Sequence, residues 1–158
     1  MIEARVPVDS PFGTASEACL DCWEKCCAGN IPPFITGYDV EAIGVDRCRA
    51  LARWESEKCP SLTPETTCAI YHDRPLDCRL FPLDLHSEDG KMVWLTYTHC
   101  SLRADLLPNF EEVLSRAERE ILPLFTKDEL TLYTTSQDFP LFRQGHWQRL
   151  RQVEHEPT

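Results

Sequence analysis

Apolar periodicity along the chain is clearest toward its C-terminal end. Phe110, Val113, Leu114, Ala117 and Ile121 recur at helical spacing behind a capping Asn109, and Pro123 stops the pattern. Thr126-Lys-Asp-Glu129 has the form of a capping box and predicts a second helix to about Ser136. A third short helix is expected to carry Trp147 and Leu150. Upstream the period shortens to two. Leu83 and Leu85, then Met92 and Trp94, alternate with other residues around Asp89-Gly90, a dipeptide suited to a tight turn. Residues 83–97 therefore read as a β-hairpin.

The N-terminal half is less regular. Residues 1–15 contain Pro7, Pro11 and Gly13 and read as an extended lead-in. Ser16 and Glu17 open a short helix that Gly29-Asn30 and Pro32-Pro33 bring to an end. Thr36 with Asp39 caps another through Ile43, and Asp46 is expected to cap the next, with Cys48, Leu51, Ala52 and Glu55 along one side. Cys48 stands at core spacing with Val45, Leu51 and Ala52, so it reads as a buried small hydrophobe. From Lys58 to Pro82 the chain carries four prolines and three cysteines, and no helix of useful length fits. Such a segment needs a staple other than backbone hydrogen bonds, and a metal is the obvious one. The expected architecture is α+β: one small, cysteine-rich, metal-stapled domain over residues 16–158. Residues 16–105 form its metal-binding part and 106–158 its helical cover.

Composition narrows the function. At 158 residues and 42% hydrophobic content the chain is long and apolar enough for a core. A formal charge of −10 argues against nucleic acid or an anionic membrane as partner. Residues 1–9 show no basic-then-apolar leader, and no run of eighteen apolar residues occurs, so a reducing cytoplasm is the expected location. The nine cysteines are an odd number, which suits metal ligands better than a disulfide framework.

Four of those cysteines fall in Cys19-Leu-Asp-Cys22-Trp-Glu-Lys-Cys26-Cys27. On a helix, at about 100° per residue, Cys19, Cys22 and Cys26 share a face while Cys27 points about 100° from Cys26. Three close cysteines with a remote Cys59-Pro60 fit an iron–sulfur cluster, whereas zinc draws its ligands as two close pairs. With Cys68, Cys78 and Cys100 added, eight thiols fill two four-cysteine sites, or one site with extra thiols. Arg74 and Arg79 flank Cys78 and are candidates to donate to cluster sulfurs or bind an anion, the alternative being ion pairs with Asp73, Asp77 or Asp84. His72 and His99 are further candidate ligands, and Tyr71 reads as a core aromatic. No hydrolase, P-loop or dinucleotide motif appears.

Taken together, the vicinal cysteine cluster, Lys58-Cys59-Pro-x-Leu62 and Cys68-Ala-Ile-Tyr71-x-x-Arg74-Pro75-x-x-Cys78-Arg79-x-Phe81-Pro82 resemble the CxxCxxCC-type family of zinc- or iron-chelating proteins. That family includes a flagellin lysine methylase. The resemblance spans residues 16–100 and implies eight characteristic cysteines, the number left when Cys48 is set aside. One departure is that three residues, not two, precede the vicinal pair, so either Cys26 or Cys27 takes the ligand role. The function expected is metal binding, through an iron–sulfur cluster (4Fe–4S) or zinc held by Cys19, Cys22, Cys26, Cys27, Cys59, Cys68, Cys78 and Cys100. A cluster-dependent redox or methyltransferase-type enzyme is an alternative, and a zinc-stabilised adaptor for a protein partner is another.

Overall fold

A computed structural model describes residues 33–52, 59–61, 69–70, 73–97, 110–135 and 147–157. Along the described chain run helices α1 (Gly37–Ile43), α2 (Val45–Ala52) and α3 (Leu76–Leu80), then strands β1 (Leu83–Glu88) and β2 (Lys91–Tyr97). Helix α4 (Phe110–Glu120), a 3₁₀ turn (Leu122–Leu124), α5 (Lys127–Thr135) and strand β3 (Trp147–Gln152) follow. Helices lie with an antiparallel three-stranded sheet in the order β1-β2-β3, an α+β arrangement.

The hairpin forms where alternation predicted it. Asp89 and Gly90 both take positive φ, 52° and 78°, which matches the right-handed twist of the two strands and brings Glu88 opposite Lys91. Leu83, Leu85 and Trp94 then turn to the core, while Glu88 and Lys91 stay in water. Helix α4 buries Val113, Leu114, Ala117 and Ile121, the stripe read from sequence, with Phe110 packed partly against it. Helix α5 begins with the expected box: Glu129 N–H donates to Thr126 Oγ1 at 3.1 Å and Thr126 N–H donates to Glu129 Oε1 at 2.8 Å.

Three expectations need correction. The stretch with Trp147 and Leu150 is a strand, not a helix. Its backbone pairs with the open side of β2, Tyr97 facing Trp147 and Leu95 facing Arg149, and Val153 N–H donates to Met92 O at 2.9 Å. Ladder pairing and the burial of Val153 outweigh a local composition that tolerates helix. Asp46 does not cap α2 but lies in its first turn. The chain passes directly from α1 through Gly44, whose φ of 89° admits the sharp turn, so α2 starts at Val45, two residues earlier than a cap at Asp46 would place it. Finally, Cys48 and Leu51 are buried as expected, but Val45 is 55% exposed and Ala52 is exposed, which narrows that face to two residues.

A fourth difference concerns the role of the C-terminal part. Leu76 and Leu80 of α3, the hairpin, α4, the 3₁₀ turn, Phe125, α5 and Val153 form one continuous apolar core. Helices α4 and α5 therefore build the core and do not merely cover it. Polar clamps tie its parts together. Buried Glu118 of α4 accepts from Trp94 Nε1 at 2.9 Å and Arg151 Nη1 at 2.7 Å, so helix, hairpin and β3 meet at one carboxylate. Glu129 Oε2 accepts from Gly37 N–H at 2.7 Å, so one side chain serves the first turns of both α5 and α1.

Candidate metal centre

Of the eight cysteines expected as ligands, Cys59 and Cys78 lie among the described residues. Cys19, Cys22, Cys26, Cys27, Cys68 and Cys100 lie outside them, as do Tyr71, His72 and His99. No group of three or more metal-ligating side chains occurs among the described residues. No disulfide joins Cys48, Cys59 or Cys78 to another of the three.

The three described thiols occupy different surroundings. Cys48 is 3% exposed in α2. Its thiol is pushed above the usual range, first by burial and then by the negative charge of Asp39. Both effects disfavour the thiolate, the form that metals bind. Cys59 and Cys78, in contrast, are half-buried. Cys59 opens the short segment Cys59-Pro60-Ser61, where Ser61 O accepts from Ala69 N–H at 2.8 Å. That bond ties the chain two residues after Cys59 to the residue that follows Cys68 in sequence. A cavity of about 270 Å³ lies beside this junction, lined by Arg47, Ala50, Leu51, Pro60, Ala69 and Ile70.

Cys78 sits in α3, a helix of five residues between Pro75 and Pro82. Its neighbours Leu76 and Leu80 are fully buried in the common core, which leaves Cys78 at the core's rim. Helix α3 has no side-chain cap of its own. Its first N–H is served from elsewhere: Leu76 N–H donates to Asp39 Oδ1 at 3.0 Å. Asp39 is 2% exposed, and its Oδ2 also accepts from Thr36 N–H and Thr36 Oγ1, each at 2.8 Å. In return Asp77 reaches back: its Oδ2 accepts from Phe34 N–H at 2.8 Å and its Oδ1 from Tyr133 Oη at 2.7 Å.

Burial raises both carboxyls above their usual range, although every one of these donors favours the charged form. Asp39 adds to the rise at Asp77 by like-charge repulsion. Burial and the negative charges of Asp77 and Asp84 push Tyr133 well above the usual phenol range, so its hydroxyl stays a donor.

Arg79 is 3% exposed, and its Nε donates to Arg74 O at 2.8 Å. Its charge favours the carboxylate of Asp39, a partner that the sequence reading did not include among the candidates. After α3 the chain turns through a cis Phe81–Pro82 bond, and Pro82 O accepts from Tyr97 N–H at 2.9 Å. Phe81, Tyr97 and Trp147 gather there, with ring centroids 5.3–6.5 Å apart. Sequence reasoning missed both this aromatic group and the Asp39–Asp77 exchange. Thr36-x-x-Asp39 signals a local cap, but nothing in that motif shows that the second carboxylate oxygen serves Leu76.

A model of the CxxCxxCC family, described as a putative zinc- or iron-chelating domain, matches residues 18–101, more than half of the chain. No curated protein matches the chain, and no solved structure does.

Proposed function

This chain belongs to the CxxCxxCC family of putative zinc- or iron-chelating domains, and from that membership we propose that it holds an iron–sulfur cluster through its clustered cysteines. Metal chelation is the chemistry the family description carries; the cluster is the finer reading. The residues that would hold it are Cys19, Cys22, Cys26 or Cys27, and Cys59, with Cys68, Cys78 and Cys100 completing the set. Three close thiols with a remote Cys-Pro favour iron–sulfur over zinc. Bound, such a cluster supplies one-electron redox chemistry or a rigid covalent staple.

One observation carries the reading: the described thiols sort by surroundings as they do by spacing. Cys48, the cysteine outside the motif, is buried with its thiol pushed above the usual range, while Cys59 and Cys78 are half-buried. The donor set fits a soft metal, since sulfur donors are the type such a metal takes. Arg79, which follows Cys78 in sequence and is buried, and Arg74 before it would supply positive charge to offset that of a thiolate at Cys78.

Anaerobic purification followed by visible absorption, iron and labile-sulfide assays tests the proposal. A brown protein with iron and sulfide in comparable amounts is the expected result. A colourless protein with stoichiometric zinc would replace the cluster with a structural zinc site. Absence of any bound metal would remove the proposal altogether.

A further inference from the structure

Helix α3 carries a proposed ligand and is too short to stand alone, because five residues make barely one turn of backbone hydrogen bonds. What holds it is a reciprocal exchange with the segment 34–39. Leu76 N–H goes to the Asp39 carboxylate, and the Asp77 carboxylate takes Phe34 N–H, partners 37 and 43 residues apart in sequence. Asp77 stands next to Cys78, and Phe34 is seven residues beyond Cys27. The exchange therefore joins the chain leaving the first cysteine cluster to the helix that bears Cys78.

We infer that Asp39 and Asp77 are positioning residues, which fix α3 against segment 34–39 and so preorganise the Cys78 thiol for metal. This inference rests on the metal-binding reading. A purely local capping role does not account for the geometry, since the box with Thr36 uses Oδ2 while Oδ1 is directed at Leu76. Tyr133 adds a third anchor from α5 and is itself fully buried, so Asp77 is held from both sides. Neither carboxylate is assigned as a ligand. Each acts through the backbone or side chain it holds, as outer partners of metal ligands do.

Two variants separate positioning from simple loss of a cap. Asp39→Ala removes both the local cap and the link to Leu76, whereas Thr36→Val breaks the local box and leaves Asp39 Oδ1 on Leu76. Zn²⁺ affinity of the reduced full chain, measured by competition with a chromogenic chelator, is expected to fall about 10-fold or more in Asp39→Ala and to stay within about twofold in Thr36→Val. Equal losses in the two variants would overturn the inference. A second readout needs no metal: the rate at which iodoacetamide labels Cys78 in the reduced apoprotein, followed by peptide mapping. Labelling should be several-fold faster in Asp39→Ala than in Thr36→Val, and equal rates would again overturn it. If the unaltered chain takes up no metal, the metal-binding reading falls, and the labelling rates alone decide the role of the two aspartates.

Discussion

Glu118 shows how a buried charge is kept in this protein. It is 1% exposed, and burial on its own would raise its pKa. Trp94 Nε1, Arg151 and the backbone N–H of Glu154 outweigh that cost, and the carboxyl titrates below its ordinary value. The sign follows: a depressed carboxyl contributes stability that is present above its unfolded pKa and lost as pH falls through the folded value. The urea midpoint should therefore drop as the pH is lowered below about 4.5, the ordinary value, and Glu118→Gln should flatten that drop. Glu118→Ala removes the buried carboxylate on Trp94 Nε1 and Arg151 Nη1, leaving Trp94 Nε1 unpaired in the core and Arg151 with Glu111, and should cost about 1–3 kcal/mol in urea unfolding. Cys48 gives the complementary case among the thiols. Cys48→Ala should cost about 1 kcal/mol and leave metal content unchanged, whereas Cys78→Ala should lower metal content. Loss of metal in Cys48→Ala would contradict the division of thiols drawn above.

Among the elements, the hairpin turn is the most sharply specified. Gly90 sits at φ 78°, where a Cβ strains the backbone even though nothing lies within 4 Å of it. Gly90→Ala should thus cost about 1 kcal/mol through the backbone alone, read from the thermal or urea midpoint. Elements with strong local codes were legible from sequence: Asp89-Gly90 for the turn, Thr126-x-x-Glu129 for α5 and the Val113–Ile121 stripe for α4. Strand β3 was not, because Trp-Gln-Arg-Leu-Arg-Gln has no alternation that marks a buried face, and its state is set by β2. For the same reason the candidate centre was legible only as a list of thiols. Cysteine spacing names donors, but the helix that carries Cys78 is held by Asp39 on Leu76 N–H and by Asp77 on Phe34 N–H, across 37 and 43 residues.

The whole molecule divides unevenly between what apolar burial holds and what a metal would hold. Sequence reasoning expects the proline-rich middle to unfold when metal is removed. The structure divides that middle, because Leu76 and Leu80 belong to the same core as the hairpin and the C-terminal helices. Hydrogen exchange after anaerobic chelation should accordingly leave residues 76–97, 110–135 and 147–153 protected; collapse of protection across all of them would show that metal supports the core as well. No helix among the described residues is long and apolar enough to cross a membrane. Strand order has one more consequence, for a chain still being made. The outer rung of the sheet, and with it Val153 and the arginine that meets Glu118, is translated after residue 146, whereas every cysteine has been delivered by residue 100. On the ribosome the thiols thus emerge well before the last strand of the sheet can pair and the carboxylate of Glu118 can meet its arginine.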